Sequence, residues 1–120
     1  MATVAAALVL WACVSPAERD AEHVLASIER LRSSEQGERE THLAALEVLR
    51  TEVPAAELAR AACAAAYRSL ENAHKLITAA SAHPDAAKLA SAQAELKTAR
   101  LKREECTANT SELRRWLKKN

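Results

Sequence analysis

Two long stretches of the chain carry apolar residues at alternating steps of four and three, on either side of His83-Pro84-Asp85. This spacing gives each helix one continuous apolar face, the seam, which packs against a partner helix. The pattern predicts helices at 54–82 and 86–118 that fold back on each other as an antiparallel hairpin. The seam positions are Ala59, Cys63, Ala66, Leu70, Ala73, Ile77 and Ala80 on the first helix, and Leu89, Ala92, Leu96, Ala99, Arg103, Cys106, Thr110, Leu113 and Leu117 on the second.

Two cysteines lie on this seam at nearly equal distances from the turn. Cys63 stands 21 residues before Pro84 and Cys106 stands 22 residues after it, so an antiparallel hairpin bent there brings the two level. Alanine at every second seam position of the first helix allows the helix axes to approach to roughly 8 Å, as a disulfide requires. The sequence therefore predicts a Cys63–Cys106 disulfide, with two separate buried thiols as the alternative.

The N-terminal half contains two shorter helical patterns. Ser15-Pro16-Ala17-Glu18 is typical of a helix start, because serine caps the first turn and proline suits its first position. We predict a helix at 15–34, weakened near Gly37, and a second at 38–52 that ends before Pro54. The apolar residues expected to face the core are Ala21, Leu25, Ile28 and Leu31 in the first helix, and Leu43, Leu46 and Leu49 in the second, followed by Val53 just after its end.

Composition favours the same fold class. The 120 residues include one glycine and no phenylalanine, and aromatic residues make up only 2% of the chain. Alanine and leucine dominate, and no stretch alternates as a half-buried strand would. We therefore predict an all-α, elongated antiparallel helical hairpin preceded by one kinked or two shorter helices. Residues 15–120 are expected to form a single helical domain.

An apolar arm precedes this domain. Residues 4–14 carry no charge, yet at about 1.5 Å per residue they are too short to cross a bilayer core of about 30 Å. We predict that residues 1–14 are a retained anchor or a short signal. Leu10-Trp11-Ala12-Cys13 also resembles a bacterial lipoprotein cleavage site, where Cys13 would carry lipid. If the arm is retained, we expect it to be buried against another protein chain or against lipid, with its partner contacts from three large side chains: Leu8, Leu10 and Trp11.

Charge is segregated although the formal net charge is only +1. Residues 15–57 have ten acidic and five basic side chains, whereas residues 88–120 have four acidic and nine basic side chains. The simplest interpretation is internal, with an acidic first helix beside a basic last helix, where such pairs select partner and orientation. The alternative interpretation is that the basic end meets an anionic partner.

The sequence lacks the residue spacings typical of metal sites, phosphate-binding loops and catalytic sites. None of the four histidines stands four residues from another histidine or from a cysteine, no CxxC pair exists, and one glycine cannot make a phosphate-binding loop. We therefore expect no metal, no cofactor, no small-molecule substrate and no enzymatic activity. The basic segment around Trp116 is better interpreted as a plug at the end of the hairpin than as a nucleic-acid site.

Cys63 to Asn120 faintly resembles the acidic hinge subunit of the cytochrome bc1 complex, in its outer cysteine spacing and in the segments Arg103-Glu104-Glu105-Cys106 and Leu117-Lys118-Lys119. The family's inner cysteine pair and acidic run are absent, so this resemblance assigns no family.

The function predicted from the sequence is that of a non-catalytic structural or accessory subunit. The apolar arm and the thin hairpin suit attachment to a larger, membrane-associated assembly, such as a mitochondrial respiratory or ATP synthase complex. A disulfide favours an oxidising compartment, the mitochondrial intermembrane space or the surface of the inner membrane. The first alternative is a small bacterial periplasmic protein or lipoprotein acting as a binding module. The second is a cytosolic coiled-coil adaptor with three free thiols.

Overall fold

A computed structural model describes residues 15–83 and 85–119, and all the regular structure in this part of the chain is α-helical. The molecule is elongated, with principal dimensions of 68 × 25 × 18 Å. The predicted all-α hairpin fold with two preceding helices is confirmed. The four helices are α1 (Pro16–Ser33), α2 (Gln36–Val48), α3 (Pro54–Ala82) and α4 (Ala86–Lys119).

Helix α1 begins where the sequence predicts. The Ser15 hydroxyl accepts a hydrogen bond from the backbone N–H of Glu18 (3.1 Å), and Pro16 occupies the first helical position. Such a cap satisfies one of the backbone donors that a helix leaves free at its start.

The break after α1 lies at Ser34 and Glu35, not at the glycine. Both residues have extended backbone angles, and the Ser34 hydroxyl donates to the carbonyl of Leu31 (2.6 Å). Gly37 instead lies inside the first turn of α2, with open space around the position of a Cβ atom and no positive φ. The predicted break thus occurs within a few residues of Gly37. The residue that caps the last turn of α1 at this break is Ser34, not the glycine.

Helix α2 ends at Val48, four residues earlier than predicted. Leu49 has an extended conformation, and the hydroxyl of Thr51 accepts the backbone N–H of Val53 (3.2 Å). Val53 precedes Pro54, whose ring disfavours a helical conformation for the residue before it. The chain therefore leaves the helix early, and Leu49 and Val53 still reach the core from an extended segment.

The long hairpin has the predicted register. Helices α3 and α4 run antiparallel, and the carboxylate of Asp85 caps α4 by accepting the backbone N–H of Ala87 (2.9 Å). The Cys63 and Cys106 sulfurs are 2.03 Å apart, with their Cα atoms at 4.5 Å. The predicted disulfide is present, and the two helices approach closely at that level because alanine occupies the neighbouring seam positions of α3, Ala59 and Ala66.

The shorter helices cover only one end of this hairpin. Helix α1 packs on both α3 and α4, whereas α2 packs on α1 and α3. Apolar side chains from all four helices meet at this covered end. The largest fully buried side chains there are Val24, Leu31, Leu43, Leu46, Cys63 and Leu113, with Trp116 and Leu117 packed at the margin.

Beyond the covered end the seam is only partly closed. Ala73, Ala92 and Ala99 are buried between the two long helices, but Leu70, Ile77 and Leu96 are half-buried and Leu89 is 48% exposed. The seam pattern predicts that Leu70 and Ile77 are buried against residues near Leu96 and Leu89, and this prediction was wrong for these larger side chains. The two long helices enclose the small inner residues, while leucine and isoleucine extend past the contact to surfaces that α1 and α2 do not bury.

Candidate functional site

The disulfide forms a buried joint at the base of the uncovered part of the hairpin. Cys63 has no exposed surface and Cys106 is only 7% exposed. The hydroxyl of Thr110 donates to the carbonyl of Cys106 (2.7 Å), so the polar group beside the joint is satisfied. Burial restricts the access that thiol exchange requires, so the arrangement is that of a structural cross-link.

The N-terminal contact residues predicted from the sequence lie outside the described residues. Leu8, Leu10 and Trp11 belong to the segment 1–14, and so does Cys13. Their roles therefore stay predictions. Among the described residues, none of the helices combines the length and the hydropathy that crossing a membrane requires.

Ion pairs hold the shorter helices against the hairpin. Arg68 of α3 pairs with Glu40 (2.8 Å) and with Glu47 of α2, while Arg114 of α4 pairs with Glu29 of α1 (3.3 Å). Hydrogen bonds to the Glu47 and Glu40 carboxylates raise the pKa of Arg68 above its ordinary value. The Arg114–Glu29 pair supports the internal interpretation of the charge segregation, in which an acidic first helix lies beside a basic last helix. The Arg68 pairs instead join α2 to α3.

The closed end of the hairpin carries an apolar depression. No described residue in 75–83 or 85–91 is buried, so this part projects past the covered end as a two-helix arm. At its tip a shallow cavity of about 440 Å³ is lined by Ile77, Ala80, Ser81, Asp85, Ala86 and Leu89. We call this cavity the tip depression.

A second cavity lies where the covered end meets the arm. It has a volume of about 270 Å³ and lies between the α1–α2 junction and the hairpin. Four guanidinium side chains from three helices surround it, and its remaining lining is largely apolar. We call it the arginine groove, and its lining residues are Arg32, Arg39, Arg100 and Arg103, with Ala66, Tyr67, Leu70, Leu96 and Ala99.

The arginine groove is poor in carboxylates. Arg39 reaches Glu71 at 3.8 Å, and the buried Nε of Arg39 has no hydrogen-bond partner. Arg68 and Arg114, by contrast, have carboxylate partners outside this cavity. Elsewhere on the hairpin, carboxylates of α1 and α2 neutralise basic side chains. In the arginine groove the positive charge is largely left without such partners.

The chemistry of catalytic sites is not evident in the part of the chain that the structure describes. No group of three or more His, Cys, Asp or Glu side chains is placed to hold a metal ion there. Among the described residues, the one carboxyl group with a clearly shifted pKa is Glu57, whose pKa is lowered below 4.5 by hydrogen bonds from Arg60. This pair joins neighbouring turns on the surface of α3 and is a structural ion pair.

Comparison with known proteins gives no relative: no family model, curated protein or solved structure matches the chain.

Neither the arginine groove nor the tip depression was predicted from the sequence. Both depend on which part of the hairpin the shorter helices leave uncovered, and spacing along one helix does not show this. One signal was present for the groove: Arg103 occupies a seam position that is otherwise filled by apolar or small residues. A charged residue on an apolar seam is typical of a position that opens to solvent or to a ligand.

Proposed function

We propose that the protein is a non-catalytic structural or accessory subunit of a larger, membrane-associated assembly in an oxidising compartment. The setting that we favour is a mitochondrial respiratory or ATP synthase complex, at the intermembrane-space side or the surface of the inner membrane. The observation that carries the proposal is the tip depression, a largely apolar cavity at the end of a two-helix arm that α1 and α2 do not cover.

The arm is built to present this depression to another protein. Ile77 is half-buried and Leu89 is 48% exposed, so the end of the hairpin keeps apolar surface in contact with water. Burying such surface against a partner gains roughly 25 cal/mol per Å². The occupant that we propose is a leucine-type side chain on a helix of a neighbouring subunit, because an apolar helix face inserts side chains into cavities of this kind.

The disulfide supports both the presentation and the compartment. It joins α3 to α4 at Cys63 and Cys106, so the arm projects from a cross-linked base. Structural disulfides persist in oxidising spaces and are rare in the cytosol of most cells. A helical arm stapled at its base loses less conformational freedom on docking than a loose one, which favours binding.

Size-exclusion chromatography of the tagged chain from its own cells tests the proposal. The wild-type protein should elute in a defined complex far above its mass of 13.0 kDa, with partners at fixed stoichiometry. Leu89→Glu should release it as a folded monomer, because a charge in the tip depression would oppose docking. Val48→Glu is the matched control: Val48 is 74% exposed on α2, away from the arm, and this variant should stay in the complex.

Two results contradict the proposal. One is a wild-type protein that elutes as a monomer under gentle extraction. The other is a complex that both variants leave intact, which would show that the tip depression plays no part in assembly. Circular dichroism of each variant shows whether a released chain is still helical.

A further inference from the structure

We propose that the arginine groove binds an anionic amphiphile: a phosphate or carboxylate head group on a short apolar body. This inference is independent of the tip depression, since it concerns a different cavity, at the other end of the arm. It also departs from the sequence-based expectation that the chain binds no small molecule.

Four positively charged side chains converge on the arginine groove. Arg32 comes from the last turn of α1, Arg39 from α2, and Arg100 and Arg103 from adjacent turns of α4. No ion pair or hydrogen bond engages the guanidinium groups of Arg32, Arg100 or Arg103 within the described residues, so three cations share one groove without internal neutralisation. Like charges at close range oppose folding, and an anion bound among them would reverse that effect.

The wall of the groove also contains a hydrogen-bond donor that has no acceptor. The Nε of Arg39 is buried and has no acceptor, and the Glu71 carboxylate approaches Arg39 only at Nη1, at 3.8 Å. A buried donor without a partner is rare in folded proteins because it has lost its water without replacement. An oxyanion in the groove would supply acceptors to these guanidinium groups, whose planar forks match phosphate and carboxylate oxygens.

The rest of the lining indicates that the body of the ligand is apolar. Ala66, Leu70, Leu96 and Ala99 form the apolar part of the lining, with the ring of Tyr67 beside them. A fully hydrated inorganic ion would leave this surface in contact with water, whereas an alkyl or aromatic group would cover it. A cavity of about 270 Å³ limits the enclosed part to a head group and a few carbon atoms.

Isothermal titration calorimetry of the full chain, with its disulfide intact, tests the proposal. Octyl phosphate below its micelle concentration should bind saturably at one site per chain. Inorganic phosphate, which lacks the apolar body, should bind at least about 10-fold more weakly, and the uncharged octyl glucoside should not bind measurably.

Substitutions locate the site. The double variant Arg100→Gln, Arg103→Gln should weaken octyl phosphate binding at least about 10-fold, and both side chains are exposed, so the fold should be kept. Arg115→Gln is the matched control, because Arg115 is an exposed arginine of the same helix that pairs with Glu112 away from the groove. Leu96→Asn should weaken octyl phosphate but leave inorganic phosphate unchanged.

Two sources of such a ligand are distinguished by a vesicle assay. If the groove takes the head of a membrane lipid, the chain should co-sediment with vesicles that contain phosphatidic acid, and the double variant should not. If it takes a soluble amphiphile, octyl phosphate binds while these vesicles do not.

Three results would overturn the proposal. The first is no saturable binding of octyl phosphate, and the second is equal weakening in Arg115→Gln and in the double variant. The third is inorganic phosphate binding as tightly as octyl phosphate, which would show nonspecific attraction of anions to basic side chains.

Discussion

Gly37 is a helix-breaking residue type, yet it does not lie at the break between α1 and α2. Gly37 lies inside the first turn of α2, with nothing near the position of its missing Cβ atom. Glycine in a helix costs about 0.5–1 kcal/mol relative to alanine, since its unfolded chain has more freedom to lose. Gly37 therefore weakens α2 without being needed for the break before it.

Gly37→Ala should accordingly raise the free energy of unfolding by about 0.5–1 kcal/mol. Urea unfolding followed by circular dichroism at 222 nm would measure the change. A loss of stability in this variant would mean that the glycine is required for the chain to turn between α1 and α2.

The ion pair between Glu57 and Arg60 should make stability depend on pH. Because hydrogen bonds from Arg60 lower the pKa of Glu57 below its ordinary value of 4.5, the folded state favours the charged carboxylate. The stabilisation is therefore present above the unfolded pKa of Glu57, near 4.5, and is lost as pH falls through the lower folded pKa.

Glu57→Gln tests this linkage. At pH 7 the variant should be less stable than the wild type by no more than about 1 kcal/mol, since the pair is partly exposed to water. The difference should shrink as the pH falls below 4, and urea unfolding at several pH values would follow it. A difference that stays constant down to pH 2 would contradict the assigned cause.

At the scale of the elements, the two ends of the hairpin differ in how firmly they are packed. Leu113 on α4 is fully buried in the core of the covered end, whereas Leu70 on α3 is half-buried at the edge of the arginine groove. The same leucine-to-alanine change should therefore have different costs at the two positions. At the covered end it leaves a cavity, and at the groove it mainly removes contact with a surface already open to water.

Leu113→Ala should lower the free energy of unfolding by about 2–5 kcal/mol, and Leu70→Ala by about 1 kcal/mol. Chemical denaturation of the two variants under one set of conditions measures both values. Equal costs would mean that the groove is closed in solution and that the arm is covered as well as the base.

The sequence predicted the long helices better than the short ones, for physical reasons. Pro54 and Asp85 mark helix starts through effects confined to their own turns, so α3 and α4 have nearly the predicted bounds. The end of α2 at Val48 instead depends on Leu49 and Val53 reaching a core that three other helices build. Tertiary packing of this kind leaves no local signal.

The cavities illustrate the same limit. The register of the hairpin, and the joint at Cys63 and Cys106, could be predicted because the two cysteines are nearly equally far from Pro84 along the sequence. The arginine groove needs Arg32, Arg39 and Arg103 from three different helices, and their meeting depends on where α1 and α2 lie across the hairpin. Heptad spacing fixes the face of a helix but not how far along that face a neighbour extends.

For the whole molecule, the disulfide supports the fold and is the feature on which the proposed compartment and function depend most. It closes a loop of 43 residues, for which chain-entropy reasoning gives about 4 kcal/mol of stabilisation. That contribution is large for a chain with few aromatic residues and an alanine-lined hairpin. The bond also holds the base from which the arm presents the tip depression, and it is compatible with an oxidising compartment.

Mass spectrometry of the protein from its own cells tests this central claim most directly. The free thiols are blocked with N-ethylmaleimide at lysis, and the chain is digested with trypsin without reduction. We predict one peptide pair, residues 61–68 linked to residues 104–114 through Cys63 and Cys106, which separates on reduction. Recovery of these two peptides with both cysteines blocked by N-ethylmaleimide would contradict the stapled hairpin and the oxidising compartment together.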